Sequence, residues 1–131
     1  MAVRGIRGAI TARANERDAI VDATATLLRE IVERNRVAIG DIGAIFFTTS
    51  PDLTAEFPAA AARGLGWKDV PLLCGHEMSV PGRIDKCVRV MMLVNTDAEQ
   101  GAIEHVYLEG AASLRPDLII DRSAKGSPTL R

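Results

Sequence analysis

Arg89 stands inside Cys87-Val88-Arg89-Val90-Met91-Met92-Leu93-Val94, the stretch of the chain with the strongest strand character. Apolar on both faces, this run reads as a buried central strand, where an unpaired guanidinium would cost several kcal/mol. Arg89 therefore needs an anionic partner. One candidate is Glu77, in an internal salt bridge. The other is a bound anion, with Glu77 serving a different group. Arg7, on a glycine-flanked strand, carries the same ambiguity, because arginines near strand ends are often simply solvated. Tyr107, the only tyrosine, reads first as a core residue with a satisfied hydroxyl. The chain holds thirteen arginines and three lysines. Genome base composition can produce such a bias, but arginine is also the residue that forks onto carboxylates.

More familiar constellations fail on spacing. His76-Glu77 opens like a zinc-protease helix motif, but Val80 occupies the place of the second histidine. Cys74, His76 and Cys87 supply one close ligand pair where structural zinc takes two, so no metal or other cofactor is expected. Gly64-x-Gly66 has Asp69 where a dinucleotide fingerprint has its third glycine, and it closes a helix instead of following a strand. Cys74 and His105 have the chemistry of a nucleophile and base, yet nothing local brings them together. Cys74 reads better as a structural thiol, and neither cysteine suggests a disulfide framework.

These residues need a scaffold. Residues 2–10 form an expected first strand with close backbone approach at Gly5 and Gly8. Asn15 and Asp18 mark a helix start, and Ile20, Ala23, Leu27 and Ile31 then recur at helical spacing through Arg34. Strands are expected at 44–49, 70–74, 87–94 and 103–109. A short alanine-rich helix begins near Pro58 and stops at Gly66, and a last short helix covers 110–114. The fold class is α+β: a mixed sheet of about five strands with one long helix and short helices. One helix cannot cover such a sheet, which points to a homo-oligomer.

With 131 residues, 47% of them apolar, the chain suits a single domain, assigned to 1–120, with a polar and mobile tail at 121–131. A net charge of −1 argues against binding nucleic acid through bulk positive charge. No apolar run approaches the roughly 20 residues that span a bilayer. No membrane association is expected, no secretory signal is evident, and a cytoplasmic location is the default.

Five segments decide between the alternatives for Arg89. RGIRGA (4–9), TSPDLTAEFPAAAAR (49–63), VPLLCGHEM (70–78), CVRVMMLVNTD (87–97) and HVYLEGAASLRPDL (105–118) together resemble the trimeric α/β type of monofunctional chorismate mutase. The resemblance runs from Val3 to Leu118. It implies a homotrimer forming a pseudo-α/β barrel, with active sites between subunits, and the rearrangement of chorismate to prephenate on the route to phenylalanine and tyrosine. It places site residues at Arg7, Cys74, Glu77, Arg89, Tyr107 and Arg115, with Phe57 and Arg63 reaching in from the adjacent subunit. Arg89 and Glu77 take the catalytic roles and the others bind substrate. Some members of the family carry a lysine where this chain has Ala60, so that charge is missing here. Two other functions fit the same trimer: an enamine/imine deaminase, whose own sequence patterns are not seen here, and a non-catalytic trimer that binds a carboxylate metabolite.

Overall fold

A computed structural model describes residues 1–113. The sheet is built from β1 (Ala2–Thr11), β2 (Ile42–Thr49), β3 (Leu72–His76), β4 (Cys87–Thr96) and β5 (Val106–Leu108). Two helices, α1 (Arg17–Arg34) and α2 (Ala59–Gly64), join β1 to β2 and β2 to β3. The strand order is β3-β2-β4-β1-β5. β4 runs antiparallel to both β1 and β2, while β3 and β5 lie parallel to their neighbours at the two edges. The expected α+β fold with a mixed five-stranded sheet and one long helix is the fold observed.

Alternation along the strands separates two faces. Ile6, Ile10, Ile45, Phe47, Val88, Val90, Met92 and Val94 are buried, and they join Ile20, Leu27, Leu28 and Ile31 of α1 in one core. Gly8 permits that closeness. A Cβ there would lie 2.8 Å from Ile31 Cδ1 and 3.1 Å from the Val106 carbonyl oxygen, and the carbonyl belongs to a paired strand that cannot retreat. Gly8→Ala is therefore expected to destabilise the fold by about 1–3 kcal/mol through overpacking. A denaturant midpoint equal to that of the parent would contradict this.

The opposite face is different. Val3, Phe46, Leu73 and Met91 are exposed there, and no described element packs over them. β4 was expected to be apolar and buried on both sides, and this is corrected. From Val88 onward it is buried on alternate residues, and the Arg89 side chain is 44% exposed because nothing among the described residues covers its face.

Four further expectations shift. β3 begins at Leu72, two residues later than expected, since Pro71 has no N–H for the ladder and serves only as acceptor for the Ile45 amide. β5 shrinks to Val106–Leu108, because Ile103 closes a 3₁₀ turn instead of pairing. Asn15 does not cap α1, whose N-cap is Glu16. Its side chain instead accepts from the Thr54 and Ala55 amides and donates to Thr54 Oγ1. The last helix is a 3₁₀ turn at Glu109–Ser113. Arg115 and the tail at 121–131 lie outside the described residues.

Candidate active site

Strand register puts Arg89 at the centre of the uncovered face. It pairs with Thr48 of β2 on one side and Ala9 of β1 on the other. Thr48 pairs in turn with Gly75, and Ala9 with Tyr107. One row therefore crosses all five strands as Gly75, Thr48, Arg89, Ala9 and Tyr107. Paired residues project to the same side of a sheet, so Arg89 and Tyr107 share this face. Arg7 lies two residues before Ala9 on β1, and Glu77 two residues beyond Gly75, just past the end of β3. Both are on the same side.

The result is a cleft of about 270 Å³ lined by Arg7, Gly8, Phe46, Thr48, Glu77, Arg89, Val90, Met91 and Tyr107. Four residues from four distant segments meet in it: Arg7, Glu77, Arg89 and Tyr107. Arg89 Nη1 is 3.6 Å from Glu77 Oε2, so the pair foreseen between them exists, although it is loose. Thr48 Oγ1 donates to the same carboxylate oxygen at 2.6 Å, and the Glu77 amide donates to the Thr49 carbonyl at 2.7 Å. A second cavity adjoins this cleft beneath the 77–86 loop. Glu77 and Arg89 line both.

Cys74 falls elsewhere. It pairs with Phe47, on the helix-facing side, and is partly buried against the core. Burial pushes its thiol pKa up, while a backbone hydrogen bond at Ala59 and the nearby Arg63 charge pull against that rise. With Phe57, Leu53 and His76 it lines a separate, largely apolar cavity of about 290 Å³ at the β3 edge. Phe57 is held at its rim. Arg17 of α1 donates to Glu56 at 3.1 Å, and Glu56 accepts from the Phe57 amide at 2.8 Å. Arg63, in the last turn of α2, is exposed. The candidate residues thus form two groups within one chain. Arg7, Glu77, Arg89 and Tyr107 share the sheet-face cleft, whereas Phe57, Arg63 and Cys74 gather at the opposite side of the β3 edge.

Other pairings considered from the sequence are settled by topology. Cys74 on β3 and His105 beside β5 stand at opposite edges of the sheet, roughly 19 Å apart at the usual strand spacing. They form no dyad within a chain. Cys87 is buried beside Ala9 and Ala111, and desolvation raises its thiol to about 11 despite the neighbouring Arg89 charge. Such a thiol is inert near neutral pH. Among the described residues, no three His, Cys, Asp or Glu side chains are arranged to hold a metal.

Sequence reasoning missed Thr48. A signal existed: in Phe46-Phe47-Thr48-Thr49 the alternation that sends Phe47 into the core sends Thr48 to the face of Arg89. The cross-strand register needed to see this was not legible in one strand.

The family model described as chorismate mutase type I matches residues 3–118. A chorismate mutase AroH of Bacillus subtilis (strain 168) is 44% identical over 126 residues, covering 95% of this chain and 99% of that protein. A chorismate mutase AroH of Thermus thermophilus is 47% identical over 117 residues, covering 88% of this chain and 96% of that one. Among solved structures, a chorismate mutase from Clostridium thermocellum superposes with a TM-score of 0.82 at 50% identity, covering 83% of this chain and 97% of that chain.

Proposed function

From membership of the chorismate mutase type I family, to which this chain belongs, we propose that the sheet-face cleft binds chorismate and that its rearrangement is driven by positioning and by the Arg89 charge. The chain is a chorismate mutase, an isomerase of aromatic amino acid biosynthesis. The observation that carries the proposal is the convergence of Arg7, Glu77, Arg89 and Tyr107 on one cleft.

The reaction is unimolecular. A C–O bond of the enolpyruvyl ether breaks as a C–C bond forms to the ring, with no nucleophile and no proton to transfer. Two contributions remain for a protein to make. The first is to hold a flexible dianion in the compact conformer that places the enolpyruvyl group over the ring. Arg7 and Tyr107 bind carboxylate oxygens for this purpose. Arg63, and Arg115 outside the described residues, share the role. The second is to stabilise the negative charge that grows on the ether oxygen as the C–O bond lengthens. Arg89 does this from a central strand, where the sheet fixes its backbone. Glu77 accepts a hydrogen bond from the ring hydroxyl and orients Arg89.

The working unit is a homotrimer. Val3, Phe46, Leu73 and Met91 leave an apolar sheet face open among the described residues, and burying it against two copies would also dry the cleft. A neighbouring chain's Phe57, Arg63 and Cys74 then complete each site. Phe57 and Cys74 pack against the ring, and Arg63 adds positive charge. None of the helices of the described residues is long and apolar enough to cross a membrane. The enzyme acts in the cytoplasm without nucleic acid.

The test is to incubate the purified protein with chorismate in EDTA, with no cofactor added. Saturable formation of prephenate at an undiminished rate is the expected result. A rate that collapses in EDTA and returns with a divalent ion would overturn the mechanism.

A further inference from the structure

The Glu77 carboxylate must keep its direction for the chemistry above, yet its own segment does little to hold it. Glu77 is the first residue past β3 and opens the 77–86 loop. Its side chain has three rotatable bonds and is about a third exposed, and the Arg89 guanidinium stands 3.6 Å away, beyond hydrogen-bond range. An ion pair of that length draws the guanidinium toward the carboxylate without fixing the direction of the carboxylate itself. The closest partner of the carboxylate is Thr48, at 2.6 Å, the short distance of a charge-assisted O–H···O⁻ bond.

We propose that Thr48 is a positioning residue for the rearrangement, clamping Glu77 Oε2 so that Oε1 is presented to the substrate and Arg89 is steered into the cleft. This rests on the assignment of Glu77 and Arg89 to the active site. The strand supplies the rigidity. Thr48 sits inside β2, paired with Gly75 on one side and Arg89 on the other, so its backbone is held from both flanks. A β-branched side chain on a strand has few χ1 options, which fixes the direction of the hydroxyl before substrate arrives. Thr48 also lines the cleft itself. Among the described residues, Oε2 carries both contacts of the carboxylate and Oε1 receives no hydrogen bond. That division leaves one oxygen for an incoming hydroxyl. The neighbouring Thr49 does not substitute for Thr48, because it points to the other face and its hydroxyl bonds His76 Nδ1 at 3.0 Å.

The experiment is steady-state kinetics on chorismate for Thr48→Val, Thr48→Ser, Glu77→Ala and the Thr48→Val/Glu77→Ala double variant, with circular dichroism and melting temperature on each. Thr48→Val keeps the shape and removes the hydroxyl. It is expected to lower kcat about tenfold, the scale of a hydrogen bond to a charged group, with a much smaller change in KM. Thr48→Ser restores the hydroxyl and is expected to return kcat to within about twofold of the parent. In the Glu77→Ala background the valine is expected to add nothing, because the group through which it acts is gone. Parental kcat in Thr48→Val, failure of serine to rescue, or an equal valine penalty in both backgrounds would overturn the proposal. Parental turnover in Glu77→Ala would overturn the site assignment beneath it. That outcome is distinguishable from an impaired Glu77→Ala accompanied by an unaffected Thr48→Val.

Discussion

Arg89→Ala is expected to lower kcat by about 100-fold or more, the scale observed when a donor aimed at developing charge is removed from a preorganised site. The loss should fall on kcat and not on KM. In the ground state the ether oxygen carries little charge, so the guanidinium gains most of its interaction only as the C–O bond breaks. Arg89→Lys should also be poor. Lysine keeps the charge but replaces a planar fork with a single point donor on a flexible stem, and the geometry with Glu77 on one side and the ether oxygen on the other is lost. Stopped-time or continuous assays of chorismate loss over a wide substrate range separate the two constants. Near-parental kcat in either variant would remove Arg89 from the mechanism.

Arg7→Ala should behave in the opposite sense. Arg7 reaches the cleft from β1, and its backbone is anchored by pairing with Met91 of β4 on one side and by its amide, which donates to His105 Nδ1 at 2.9 Å, on the other. Its proposed partner is a carboxylate that is fully charged before, during and after the rearrangement. Losing a charge-assisted contact of that kind should lower kcat/KM by about 10- to 100-fold, most of it through KM. Part of the loss will reach kcat to the extent that Arg7 selects the compact conformer. A drop in kcat alone, with KM unchanged, would mean that Arg7 acts on the transition state and that the division of labour with Arg89 is wrong.

Much of the scaffold was legible because it is written in local patterns. The 3.6-residue spacing of Ile20, Leu27 and Ile31 marked α1, and the run around Val88 and Val90 marked the central strand. Gly66, at φ 85°, ended the α2 segment as a glycine stop should. What failed depended on neighbours. Asn15 has the residue type of a helix cap, yet the 54–55 loop, far away in sequence, captures its side chain. The apolar content of β4 suggested burial on both faces, but content cannot say which face the described elements cover and which they leave open. The same limit hid Thr48, whose significance lies in a register with Arg89 and a bond to Glu77. Arg89 itself was visible as a charge out of place, and Glu77 as its nearest candidate partner. The grouping of Cys74 with Phe57 and not with Glu77 needed the pleat. Cys74 and Glu77 are an odd number of residues apart, so a strand sends them to opposite faces.

That grouping implies that each active site is assembled from two chains, which mixed assemblies can test. Differently tagged chains carrying Arg89→Ala and Arg63→Glu should each form assemblies of low activity, because one spoils the sheet-face half of every site and the other the edge half. Co-expressed in equal amounts and purified through both tags, they should recover activity. Every trimer that carries both tags places an intact sheet-face half against an intact edge half at one of its three interfaces, about a third of the sites. Turnover near that fraction of the parent, with a parental KM, is expected. Activity in the mixed assemblies no higher than the average of the two separate variants, or a fully active Arg63→Glu enzyme, would contradict it.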